Sequence, residues 1–193
     1  MKKAYDFDIV FDSQKIFRLI MEALSNPGRI VCIDECKDRL YGDHKELLAI
    51  GVTFLDNEVS FNTCGNQELS QEIISMTLSK EELISQADYI FISENKPEAA
   101  VLVVTGAKCG TLKDPHQSAT IITGVKNLEG HPNAVISGPG VNGHKEVFLT
   151  QFMKQMIETR DNMFYEYPTG IDFIFIDSQG SLTAIPRKIK VEV

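Results

Sequence analysis

The sequence predicts an α/β protein, a single-domain α/β/α sandwich built around a mixed sheet. Segments with helical periodicity alternate from one end of the chain to the other with short apolar segments rich in β-branched residues, a pattern typical of this fold class. Near the C-terminus, Asp177-Ser178-Gln179-Gly180 separates two apolar runs and predicts the tight turn of an antiparallel hairpin. No internal repeat, low-complexity tract or linker interrupts the alternation, so residues 1–193 are expected to form one domain.

The first half of the chain is expected to hold four helices and three short strands. Asp12 or Ser13 is predicted to cap the first helix, and Asn26-Pro27-Gly28 ends it. Ser79-Lys80-Glu81-Glu82 has a capping-box pattern, which predicts a fourth helix that ends near Ala87. The second and third helices are predicted over residues 44–55 and 69–76, and the strands over residues 29–33, 59–61 and 89–92.

The second half opens on an ambiguous segment, residues 97–106. Its four consecutive aliphatic residues at 101–104 favour a buried strand, whereas Pro97 in a first turn and Gly106 at a C-cap favour a helix, which we prefer. A later helix is predicted from a stripe of large apolar residues, Phe148, Phe152, Met153, Met156 and Ile157. The remaining strands are expected over residues 118–125, 134–136, 171–176 and 182–185.

Charge and patterning exclude several classes of partner. The net charge of −8 argues against steering toward DNA, RNA or anionic lipid. Met1-Lys2-Lys3 is followed by Asp6 and Asp8, which spoil the apolar core of a signal peptide, and no run approaches the ~18 apolar residues that span a bilayer. A cytoplasmic protein without nucleic-acid or membrane contact is therefore expected, with reduced cysteines.

The cysteine pattern favours ordinary residues over a metal site. Cys32 and Cys36 have a spacing that zinc sites use, but Cys64 and Cys109 each stand alone and no histidine pair accompanies them. No metal is expected.

Two further motifs have a structural and a functional interpretation. Ser137-Gly138-Pro139-Gly140 resembles a loop that holds an anion on backbone N–H groups, but Pro139 has no N–H and a simple turn is favoured. Asp114-Pro115-His116, with Ser118, offers an acid, a base and a hydroxyl, although no nucleophile elbow is present and a polar turn is the simpler reading.

Asp172 is the least ordinary residue, because it interrupts an otherwise apolar strand. A carboxylate buried there needs a partner, for which Arg187 or Arg18 is available. A structural ion pair and a ligand-anchoring site remain equally open. Since no triad, metal cage, P-loop or dinucleotide fingerprint is present, the residues alone do not identify a reaction.

Segments spread along the chain resemble the PhnH family in order and spacing. The N-terminal and central matches are Phe11-Asp12-Ser13-Gln14, Asn26-Pro27-Gly28-Arg29, Leu55-Asp56, Ala87-Asp88-Tyr89, Asp114-Pro115-His116 and Ser137-Gly138-Pro139-Gly140. The strongest matches are at the end, Tyr167-Pro168-Thr169-Gly170-Ile171-Asp172 and Ala184-Ile185-Pro186-Arg187.

The resemblance implies a subunit of the bacterial carbon–phosphorus lyase complex, in alkylphosphonate utilization and phosphorus assimilation. It implies an accessory role, inactive alone, in α-D-ribose 1-methylphosphonate 5-triphosphate synthase, a transferase that joins methylphosphonate to the ribose C1 of ATP and releases adenine. The lyase step that cleaves the C–P bond belongs to another subunit. The implied fold is a reduced pyridoxal-phosphate-dependent transferase fold without the cofactor. The implied partners are a second copy of the chain and the G, I and J subunits, with the L subunit in the pathway.

No catalytic residue, metal ligand or cofactor is nominated. The candidate ligand or interface residues are Arg18, Arg29, His116, Ser137, Gly138, Gly140, Asp172 and Arg187. The alternative function is an independent small-molecule transferase or hydrolase that uses Asp172, Arg187 and the loop at residues 137–140.

Overall fold

The computed structural model describes residues 6–164 and 166–192, over which helices and strands alternate. The α-helices are α1 (Phe11–Ser25), α2 (Asp34–Lys37), α3 (Lys45–Phe54), α4 (Gln67–Thr77), α5 (Pro97–Gly106) and α6 (Gln151–Asp161). The strands are β1 (Val31–Cys32), β2 (Ser60–Asn62), β3 (Lys80–Glu81), β4 (Tyr89–Ser93), β5 (Thr120–Val125), β6 (Ala134–Ser137), β7 (His144–Val147), β8 (Asp172–Asp177), β9 (Ser181–Ile185) and β10 (Lys190–Glu192).

Within this part of the chain, seven strands form a mixed sheet in the order β1-β9-β8-β5-β4-β2-β3. The strands from β8 to β3 run parallel to one another, whereas β9 is antiparallel to β8 and β1 is antiparallel to β9. The predicted C-terminal hairpin is confirmed. Asp177 begins its turn, and the Asp177 carboxylate accepts the backbone N–H groups of Gln179 and Ser181 at 3.0 and 2.9 Å.

Helices cover both faces of this sheet, because its central strands alternate buried side chains between two apolar clusters. Ile174 and Ile176 of β8 pack with apolar residues of α1, α3 and α4, whereas Phe173 and Phe175 pack with those of α5 and α6. Strands that are apolar on both sides are typical of parallel sheets buried between helical layers. The predicted α/β class with a mixed sheet is confirmed.

A second, smaller sheet was not predicted. It is antiparallel, with the order β10-β6-β7. Its buried residues Ala134, Ile136 and Val147 belong to the same cluster as Phe173, so the small sheet lies on the α5/α6 face. Most residues of β7 and β10 are exposed and charged. These two strands therefore have no apolar pattern from which they could be predicted.

The helix predicted at residues 79–87 is wrong. Lys80–Glu81 forms the short strand β3, parallel to β2. The Ser79 hydroxyl donates to the Val59 carbonyl at 2.6 Å, and the Glu81 carboxylate accepts the hydroxyls of Thr63 and Ser70 at 3.0 and 2.6 Å. The hydroxyl of Ser79, the predicted N-cap, is thus bound by a tertiary partner and does not cap a helix.

The cap predicted for α1 is also wrong, although the helix itself is confirmed. The Asp8 carboxylate accepts the N–H groups of Val10 and Phe11, each at 2.9 Å. Asp12 is buried inside the first turn, where it accepts the Asp8 N–H at 2.8 Å and pairs with Arg39 at 2.9 Å. For residues 97–106 the preferred alternative is confirmed, since Pro97 begins α5.

Candidate functional site

Asp172 and Arg187 meet at the open end of the β8–β9 hairpin, as the sequence predicted. Asp172 begins β8, and Arg187 lies two residues beyond the end of β9. The backbone N–H of Arg187 donates to Asp172 Oδ1 at 2.7 Å, and Nε lies 3.2 and 3.1 Å from the two carboxylate oxygens. Nη2 contacts Oδ2 as well. Both side chains are about four-fifths buried, with 19% and 20% exposed, so water screens the pair only partly.

The rest of the Arg187 guanidinium binds two neighbouring segments. Nη1 donates to the carbonyls of Pro115 and Pro168 at 3.1 and 3.4 Å, and Nη2 donates to the Ser118 hydroxyl at 2.6 Å. A guanidinium has five N–H donors, and these contacts account for all five. The side chain therefore holds together the hairpin, the turn at residues 115–118 and the loop before β8.

This cluster lies at the amino ends of the parallel strands. Asp172 and Thr120 are the first residues of β8 and β5 and pair in register. In open α/β sheets, ligands usually bind at the opposite edge, where the strands end. The position of the cluster favours a structural ion pair between Asp172 and Arg187 over a ligand-anchoring site. The N–H donors of Arg187, which all bind within the fold, favour it as well.

The other candidate side chains are dispersed. His116 is exposed in the short 3-10 turn Pro115–Gln117, next to the carbonyl that Arg187 binds. Arg29 pairs with Glu22 at 2.8 Å on the surface. Arg18 is exposed on α1 and makes no hydrogen bond or ion pair among the described residues, so Arg187 and not Arg18 is the partner of Asp172.

The glycine loop packs against other backbone. Ser137 ends β6, and Gly138 and Gly140 have φ angles of +132° and +83°. A Cβ on Gly138 would lie 2.8 Å from the Lys188 carbonyl oxygen, and one on Gly140 would lie 2.6 Å from that of Ser25. An anion cradle of this kind precedes a helix, but the chain continues into β7. The glycines are explained by close approach of the chain.

The four cysteines are free and lie in different surroundings. Cys32 is exposed, Cys36 is buried, and burial raises the pKa of the Cys64 thiol to about 11. In residues 6–164 and 166–192, no group of three or more His, Cys, Asp or Glu side chains is placed to hold a metal ion. No helix in those ranges is both long and apolar enough to cross a bilayer.

Sequence reasoning missed a cavity at the carboxyl ends of the parallel strands. It has a volume of about 340 Å³ and lies beside the last residues of β4 and β5. Its titratable lining residues are Asp43, His44, Glu46, Glu94 and Lys126. Burial raises the pKa of the Glu46 carboxyl. These residues come from segments far apart in the chain, so no sequence motif unites them.

Arg160 was also missed, although a signal was present. It is fully buried and donates to the carbonyls of Ile185, Pro186 and Ile189 at 3.3, 3.2 and 3.0 Å. Arg160 follows Met156 and Ile157 at helical spacing, so it occupies the next position of the apolar stripe of α6.

Comparisons with known proteins agree with the resemblance in the sequence. The family model described as bacterial phosphonate metabolism protein (PhnH) matches residues 6–192. A putative C-P lyase subunit protein, HtxG of Stutzerimonas stutzeri, is 21% identical over 180 residues, which cover 93% of this chain and 86% of that protein. Because the family model matches nearly the whole chain, the protein belongs to the PhnH family of bacterial phosphonate metabolism proteins.

Proposed function

We propose that the protein is an accessory subunit of a carbon–phosphorus lyase complex. One observation carries this proposal, the match of the PhnH family model to residues 6–192. The HtxG relative, itself described as a putative C-P lyase subunit, supports it over 93% of the chain. In this role the protein takes part in alkylphosphonate breakdown without performing the chemistry alone.

The reaction that it assists is proposed to be transfer of methylphosphonate to the ribose C1 of ATP, with release of adenine. The geometry around Arg187 supports an assisting role over an independent one. The most polar cluster among the nominated residues uses every donor of its guanidinium within the fold. A phosphonate oxygen would have to displace one of those internal acceptors in order to bind there.

The proposed partners are a second copy of the chain and the G, I and J subunits, with the L subunit acting in the same pathway. An exposed apolar surface supports assembly, because such patches often mark interfaces. Val10 and Phe11 at the start of α1, with Phe17 and Met21 further along it, are 42 to 73% exposed.

Reconstitution with purified partners tests the proposed role. ATP and methylphosphonate are incubated with the G, I, J and L subunits, with and without this protein, and adenine is measured by chromatography. We expect no adenine from this protein alone and faster release when it joins the partners. Adenine release by the isolated protein, or an equal rate in its absence, would contradict the accessory role.

The alternative, an independent transferase or hydrolase, has less support from the geometry. It requires Asp172, Arg187 and the loop at residues 137–140 to act on one ligand. Arg187 binds Asp172 and the turn at residues 115–118, whereas Gly140 packs on the end of α1.

A further inference from the structure

A small cavity lies between the main sheet and the small sheet. Its volume is about 280 Å³. Thr183 and Ile185 of β9 form one wall, and Val147 of β7 with the following Phe148 and Leu149 forms another. Leu128, Glu129, Gly130 and Pro132 complete it. Small-molecule and cofactor sites usually measure about 300–1,000 Å³. This cavity is therefore better sized for one extended side chain than for a cofactor.

The lining combines apolar walls with two unengaged carboxylates. Glu129 and Glu146 are exposed and line the cavity. Neither carboxylate makes an ion pair or accepts a hydrogen bond within the described part of the chain. No lysine, arginine or histidine lines the cavity in that part of the chain. The cavity is consequently suited to a cation and unsuited to a phosphate or phosphonate.

The two cations nearest to the cavity in sequence are engaged elsewhere. Arg29 pairs with Glu22 at 2.8 Å. Lys145 donates to the Pro27 carbonyl at 3.3 Å, and burial together with the nearby Arg29 charge lowers the pKa of Lys145. Neither is available to neutralise Glu129 and Glu146 without giving up its present partner.

Thr183 adds a hydrogen-bonding group without a partner. The residue is 95% buried, and its hydroxyl oxygen has no hydrogen-bond partner among the residues described. Leaving a buried hydroxyl unpaired costs about 1–3 kcal/mol. Thr183 lines the cavity, so an occupant that carries N–H donors would offer this hydroxyl a partner.

We propose that this cavity receives an arginine side chain from a partner subunit. The proposal rests on the proposed function, because it requires the protein to work in a complex. The aliphatic part of the arginine lies along Ile30, Leu128 and Leu149. Its guanidinium binds the carboxylates of Glu129 and Glu146 and stacks on the partly exposed ring of Phe148.

Phe148 is held in place for this role by Gly130. A Cβ on Gly130 would lie 2.5 Å from two ring atoms of Phe148, so the ring rests directly on the Gly130 backbone. An aromatic face beside two carboxylates favours the planar guanidinium of arginine over the ammonium of lysine.

A small probe tests the cavity without any partner. Butylguanidine is titrated into the protein by NMR, beside neutral butylurea and anionic butylphosphonate. We expect butylguanidine to shift the resonances of Phe148 and Leu149, butylurea to bind at least tenfold more weakly, and butylphosphonate to leave them unchanged. Equal binding of the guanidine and the urea, or stronger binding of the phosphonate, would overturn the proposal.

Substitutions then distinguish effects on binding in the cavity from effects on the stability of the fold. Glu129→Gln combined with Glu146→Gln should weaken butylguanidine binding at least tenfold, whereas Glu98→Gln, at an exposed position of α5, should not change it. Thr183→Val keeps the shape of the side chain and removes the unpaired hydroxyl, so it should weaken binding without lowering the melting temperature. A lower melting temperature would show that the hydroxyl has a partner inside the fold and would remove it from the proposal.

An assembly experiment distinguishes an error in the cavity proposal from an error in the proposed function. The chain is co-expressed with the G, I and J subunits, and the affinity of the purified components is measured. We expect the wild type and Glu98→Gln to assemble, and the doubly substituted protein to assemble at least tenfold more weakly. Equal assembly of all three would overturn the cavity proposal and leave the proposed function standing. No assembly of the wild type would overturn the proposed function.

Discussion

The guanidinium carbon of Arg160 lies 5.1 Å from the centroid of the Phe173 ring. The same side chain is fully buried and donates to the carbonyls of Ile185, the last residue of β9, and of Pro186 and Ile189 beyond it. One buried cation thus connects α6 to β8 and to the chain that leads into β10. Its only carboxylate neighbour by ion pairing within the described ranges is Asp161, which is 40% exposed.

Arg160→Met should lower the free energy of unfolding by at least about 3 kcal/mol, because hydrogen bonds from a charged donor contribute about 1.5–3 kcal/mol each. Urea denaturation measures the change. Asp161→Asn is the matched control and should cost less than Arg160→Met, because the amide oxygen can still accept the Arg160 Nε–H and the carbonyl contacts are kept. Equal losses from the two substitutions would show that the carbonyl contacts contribute little.

Arg187→Ala should lower the free energy of unfolding by about 3 kcal/mol, the lower end of the range for breaking a buried ion pair. Arg187→Lys should recover only part of that loss, because an ammonium cannot reach the five acceptor positions of the guanidinium. Arg18→Ala, an exposed arginine, should cost less than about 0.5 kcal/mol.

Complex formation by Arg187→Lys separates the structural role from an interface role. We expect the folded variant to join the G, I and J subunits with the affinity of the wild type. A folded, stable Arg187→Lys protein that fails to assemble would place Arg187 at a partner interface.

Gly140→Ala should destabilise the protein more than Gly143→Ala. Both glycines have positive φ angles, +83° and +74°, so each substitution carries the cost of a left-handed residue, roughly 1–2 kcal/mol. A Cβ at position 140 would also meet the Ser25 carbonyl, whereas one at position 143 would meet nothing within 4 Å. Thermal and urea melts of the two variants measure the difference. Equal losses would mean that the loop does not pack on the end of α1.

Glu46→Gln should stabilise the protein at neutral pH. Burial raises the pKa of the Glu46 carboxyl, so the ionised form is disfavoured in the folded state. The penalty is complete above the folded pKa and disappears as the pH falls through it to the unfolded value of about 4.3. The advantage of Glu46→Gln over the wild type should therefore vanish in acid, as measured by urea melts across pH. Glu98→Gln is the exposed control, and a gain that does not depend on pH would contradict the role of ionisation.

The pattern of apolar residues was sufficient to locate the buried strands and the long helices, because the buried faces of these elements require apolar side chains at regular spacing. β4, β8 and β9 alternate or accumulate large apolar residues and were located within a few residues. The pattern failed to predict structure where a side chain binds a residue that is distant in the sequence. Ser79 was predicted to cap a helix, but its hydroxyl donates to the carbonyl of Val59, which lies 20 residues earlier.

The candidate site was predictable only in part. The Asp172–Arg187 contact follows from hairpin geometry, since the turn at residues 177–180 places the two residues at one end. The remaining acceptors of Arg187 lie up to 72 residues away in sequence, and no local pattern indicates them. The likeness to pyridoxal-phosphate-dependent transferases stays a prediction, which superposition of the main sheet on such an enzyme would test.

The main sheet ends on both sides in a strand of only two residues, β1 and β3. Lys80 and Glu81 of β3 are both exposed and charged. Short and charged outer strands present few free backbone groups in a row, which discourages another chain from docking alongside as an extra strand. Neither edge of the main sheet is therefore expected to accept a strand from another protein, and the concentrated protein should resist stacking into amyloid-like fibres through these edges.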